Sequence, residues 1–116
     1  MGEGPLNSTV EILFEVLESP QTGLVNRTIR NDDQVRIILF SFAAGHELAA
    51  HKAPLPALLQ VLKGEAVVTL GSDRHEAAAG FLAHMPADLV HAIQANTPLL
   101  LMLTLLKTPS STAIIG

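Results

Sequence analysis

The chain has 116 residues, the size of one domain, and 48% of them are hydrophobic, enough for a real core. A charged fraction of 16% is well under the roughly 25% usual for soluble domains and suggests surface hidden in an oligomer. The formal net charge of -4 and only seven scattered Lys and Arg residues exclude a phosphate-neutralising nucleic-acid surface. The absence of cysteine excludes disulfides and thiolate chemistry.

Residues 1–8 are rich in Gly, Pro and polar groups and are expected to be loose. Ser8 and Glu11 have capping-box spacing, and Val10, Leu13, Phe14 and Leu17 share one helical face. A short helix is expected over residues 9–18, stopped by Ser19-Pro20. From there the pattern is β. Leu24 to Ile29 is a candidate strand, Asn31-Asp32-Asp33 a turn, and Val35 to Phe42 a strong strand broken by Ala43-Ala44-Gly45. Further strands are read at Leu58–Leu62, Glu65–Leu70, Arg74–Ala77, Phe81–Met85, Val90–Gln94 and Leu99–Leu106, with Gly71-Ser72-Asp73 a tight turn. Pro98 stands before the last strand, where its missing N–H is harmless.

Short strands at regular spacing, with no helix long enough for a βαβ crossover, indicate an all-β barrel or sandwich occupying residues 9–107, followed by a loose tail at 108–116. The last strand has no strict alternation, so both its faces should be covered, one by the core and the other by a second sheet or a second subunit. No apolar run approaches the roughly 20 residues of a spanning helix, and no charged-then-apolar leader opens the chain. A cytoplasmic protein with no membrane partner is the expectation.

Two glycine-anchored segments carry the chemistry. One runs from Gly45 through His46 and His51 to Gly64, the other from Gly80 through His84, Pro86 and Asp88 to His91. Together they resemble the paired motifs of the cupin superfamily. Gly45, His51 and Gly64 match the first motif, and Gly80, Pro86 and His91 match the second. The resemblance covers about residues 33 to 106 and implies a double-stranded β-helix, or jelly-roll barrel, here with a short N-terminal helix. The family's pattern supplies three His and one Glu to a metal, but the second His position is Ala53 and the Glu position is Ala57. The second motif's Gly and Asn positions are Asp88 and Ala95.

His51 and His91 are thus the two retained candidates for metal ligation, in a site that is degenerate or absent. No cofactor is certain, and a divalent metal ion is the candidate the resemblance implies. Two imidazoles and water make a weak site, since protein metal centres commonly use three or more side-chain ligands. His46, in the loop before His51, and His84, just before Pro86, are candidates to complete the set. Gln60 is expected to face away, because Ala57, Leu59 and Val61 share the inward face of their strand.

The leading expectation is a small-molecule-binding barrel, with a pocket of His51, Leu59, Val61, His91 and Ile93, assembled as a homodimer. The alternative is a metal-dependent enzyme of dioxygenase or isomerase type, so whether the chain is an enzyme stays open. Imidazoles can also move protons without metal. Asp88 is read as a turn residue that could instead orient His91. With no Tyr or Trp, a tyrosine acid or indole platform is excluded. No glycine stands in a phosphate-loop context and no serine in a nucleophile elbow.

Overall fold

The structure is a computed structural model that describes residues 8–107. Residues 1–7 and the tail at 108–116 lie outside the described residues, and with them the expectation that both ends are loose.

Among the described residues, nine strands follow a single helical turn. They are β1 (Leu24–Asn31), β2 (Val35–Phe42), β3 (Glu47–His51), β4 (Ala57–Lys63), β5 (Glu65–Leu70), β6 (Asp73–Ala78), β7 (Leu82–Met85), β8 (His91–Ala95) and β9 (Leu99–Leu106). A five-stranded sheet has the order β1-β2-β9-β4-β7, and a four-stranded sheet the order β3-β8-β5-β6. Each paired ladder is antiparallel. The expected all-β jelly roll is what the chain builds.

The core lies between the sheets. Alternate residues of β4 point into it, with Ala57, Leu59 and Val61 buried and Leu58, Gln60 and Leu62 half-buried on the outer face. Phe42, Val68, Ile93, Leu99 and Leu101 complete its centre. At about 25 cal/mol per Å² of apolar surface removed from water, these side chains supply the main drive for closing the barrel. Gly64, between β4 and β5, turns the chain from one sheet to the other at φ 92°. A Cβ there would overlap the Pro98 carbonyl oxygen, so glycine is required twice over.

The helix expected over 9–18 is a single turn, α1 (Leu13–Val16), with no side-chain cap, so the Ser8–Glu11 capping box does not form. Four residues give too few hydrogen bonds to offset helix nucleation. Val10, Ile12 and Phe14 are exposed, so no packed stripe rescues the element. The segment runs instead along the outer face of the five-stranded sheet. The Arg30 guanidinium donates to Thr9 Oγ1 at 2.9 Å, and Phe14 and Leu17 lie beside Ser41 and Leu100. Leu39 and Leu100, both on this outer face, are buried. The second face of β9 is therefore met in part by the chain's own N-terminal segment. No helix among the described residues is long and apolar enough to cross a membrane.

Candidate metal and ligand site

His51 ends β3 and His91 begins β8, and the two are direct cross-strand partners. Leu48 pairs with Ile93 and His51 with His91, so β3 advances three residues while β8 advances two. The extra residue is a β-bulge at Ala49-Ala50. In a regular strand Leu48 and His51 would face opposite sides. The bulge restores His51 to the inner side, so Leu48 packs on the core while His51 faces the barrel end. The ring centroids of His51 and His91 are 4.3 Å apart, with an interplanar angle of 56°.

Backbone carbonyls hold both rings. His51 Nδ1–H donates to the Ala49 oxygen and His91 Nδ1–H to the Leu89 oxygen, each at 3.0 Å. A carbonyl only accepts, so each Nδ1 carries the hydrogen, and the lone pair that an imidazole offers a ligand is left to Nε2. His91 is buried and His51 sits at the exposed rim.

The rings face a cavity of about 40 Å³. At roughly 10–15 Å³ per water, it has room for about three waters. Its wall is apolar: Ala53, Ala57, Leu55, Leu89, Leu103 and the thioether of Met85. Two short segments form its mouth, joined where the Asp88 N–H donates to the Ala53 oxygen at 2.8 Å. Asp88 stands at φ 68°, the left-handed region, and acts as a turn residue; the partner of His91 is the Leu89 carbonyl.

All four positions where the motifs place metal ligands, 51, 53, 57 and 91, line this one cavity, and two of them are alanine. The donor set therefore does not fit a four-ligand divalent centre. Among the described residues no three of His, Cys, Asp and Glu stand together as a metal-binding group. His46 and His84 do not line the cavity. His46 precedes the far end of β3, about 16 Å of strand from His51 at 3.3 Å per residue, against Phe42. His84 is opposite Leu58 on the outer face, because strand parity turns its neighbour Met85 inward. Leu59, Val61 and Ile93 point inward as expected but lie deeper, in the packed core, and are not part of the cavity wall. Sequence reasoning missed Met85, whose signal was its inward parity with Ala83 just before Pro86. It also missed Leu55, Leu89, Leu103 and Leu105, for which a loop position or an all-leucine strand carries no such signal.

Comparison with solved structures places this architecture. A conserved protein of unknown function from Streptococcus pyogenes superposes with a TM-score of 0.79 at 25% identity, over 93% of this chain and 95% of its own. A cupin superfamily protein from Desulfitobacterium hafniense gives 0.77 at 25% identity, over 83% and 88%. The chain is a small barrel of the cupin superfamily. A cupin 2 conserved barrel domain protein from Leptotrichia buccalis matches this cupin at 29% identity and a TM-score of 0.76, over 82% of this chain and 46% of its own. No protein-family model matches the sequence, and no curated protein matches it. Against the family's ligand pattern this cupin keeps one imidazole per motif and has only a methyl group at each of the other two ligand positions.

Proposed function

We propose that this cupin is a ligand-binding barrel whose binding element is the His51–His91 pair, and that its occupant has only a few heavy atoms. One observation carries the reading. Two imidazoles, each with Nδ1 committed to a carbonyl, are, among the described residues, the only nitrogen- or oxygen-bearing side chains on the wall of a cavity of about 40 Å³. Apolar walls with a few convergent polar groups are the usual composition of a small-ligand site. Binding is favoured over metal-dependent catalysis by the donor set, since Ala53 and Ala57 offer nothing to a metal or a substrate.

Thermal unfolding against a panel of small polar metabolites and mono- and divalent metal ions tests this. At least one compound should raise the wild-type midpoint, as a ligand specific for the folded state must. The same compound should have no effect on a His51→Ala/His91→Ala variant. An equal shift in that variant, or no shift across the panel, removes the reading.

We also propose a homodimer formed through the outer face of the five-stranded sheet, with a second copy of this chain as the partner. Half-buried Leu58, Leu62 and Met102 and exposed Leu82 lie on that face, and the low charged fraction is consistent with covering it.

A further inference from the structure

We propose that the His51–His91 cavity binds a soft monovalent metal ion, Cu(I), with the Met85 thioether as its third ligand. This rests on the reading of the histidine pair as the binding element and names the class of occupant.

The donor chemistry makes the selection. With each Nδ1–H held by a carbonyl at 3.0 Å, the only imidazole nitrogen free to ligate is Nε2, and its lone pair is available without loss of a proton. The carbonyls fix tautomer and ring orientation, as the outer partners of ligating histidines do. The third donor on the wall is sulfur. Met85 pairs with Ala57 across β4 and β7, and its buried side chain lines the same cavity as the two rings. Two imidazoles and a thioether form a neutral, soft set of three. Thioether ligands select Cu(I), whereas carboxylate and water suit the harder divalent ions.

Charge points the same way. Among the described residues no Asp or Glu lines the cavity, so none of them neutralises a cation there. The cost of moving an ion out of water grows with the square of its charge, so a divalent ion pays about four times what a monovalent one does. Size agrees as well. Room for about three waters does not admit a hexahydrated divalent ion. Cu(I) is content with two or three ligands and enters bare. His51 at the exposed rim gives it a first contact, and buried His91 and Met85 a final seat.

The test is an anaerobic titration of untagged full-length protein with Cu(I) buffered by a chromophoric bidentate chelator, beside titrations with Zn(II) and Cu(II). One Cu(I) per chain is expected, held at least tenfold more tightly than Zn(II). Met85→Leu keeps the core volume. It should weaken Cu(I) at least tenfold and leave Zn(II) unchanged, while Met102→Leu, His46→Ala and His84→Ala leave Cu(I) binding intact. His51→Ala or His91→Ala should abolish stoichiometric binding. Tighter binding of Zn(II) or Cu(II), or full Cu(I) affinity in Met85→Leu, overturns the proposal. If a small metabolite still stabilises the wild type through the histidines, the broader reading survives that outcome. Full Cu(I) affinity in the His51→Ala/His91→Ala variant removes both.

Discussion

Two backbone positions show how single residues hold the site in place. Gly64 combines φ 92° with the close approach of the Pro98 carbonyl. Gly64→Ala must strain φ and push backbone against backbone. It should cost about 3 kcal/mol or more in urea unfolding, at the upper end for single strained positions. Asp88 is the opposite case. It tolerates φ 68° in open loop, where short polar side chains are least penalised, and its N–H ties the cavity mouth to Ala53. Asp88→Gly should stay within about 0.5 kcal/mol of wild type, relief of strain offsetting the added freedom of the unfolded chain. Asp88→Ala should be the less stable of the two. The family's glycine position thus carries Asp at little cost to the fold.

Among the elements, the β1–β2 hairpin has its own electrostatic anchor. Asp32 accepts the N–H groups of Gln34 at 2.8 Å and Val35 at 3.0 Å, and the Arg30 guanidinium at 2.7 Å. The backbone donors first, then Arg30, hold its carboxyl down at about 2, from an ordinary 3.8. The folded state therefore binds this proton more weakly than the unfolded chain does. The stabilisation is complete above about pH 4 and is lost as pH falls toward 2. Asp32→Asn keeps an acceptor for the turn but no charge. Its unfolding free energy should fall less steeply than that of the wild type between pH 4 and 2, and parallel slopes would remove this assignment.

Elements also differ in how far the sequence reveals them. Val35–Phe42 and Leu99–Leu106 are observed at the bounds read from their β-branched and leucine-rich patterns. β3 carries no strand signal of its own. Glu-Leu-Ala-Ala-His has no β-branched residue, and its strand conformation comes from pairing with β8. Residues 9–18 are the opposite case: their apolar period is helical, but the fold leaves Val10, Ile12 and Phe14 exposed and only one turn forms.

At the scale of the whole molecule, the question is what covers the outer face of the five-stranded sheet. The N-terminal segment meets Ser41 and Leu100, while the edge strand β7 leaves Leu82 exposed at 59%. Sedimentation equilibrium should give a two-chain mass that falls toward one chain in Leu82→Asp, with the circular dichroism spectrum retained. A one-chain mass for the wild type would remove the proposed dimer. The same variant should leave Cu(I) binding unchanged, since the cavity opens at the end of the barrel between the two sheets and Leu82 is not on its wall.

By itself the sequence determined the class of fold, most strand positions and the two histidines worth watching. Those depend on local pattern: alternation, turn residues, and the spacing of Gly, Pro and His along a continuous chain. Tertiary structure alone decided which residues share the cavity. Parity tells which way a side chain points, but not how deep along the barrel axis it lies, so Leu59, Val61 and Ile93 went to the core. Met85, from another strand, came beside the imidazoles. The bulge at Ala49-Ala50 decided the rest, because a single extra residue, invisible in composition, turns His51 from the outer surface to face His91.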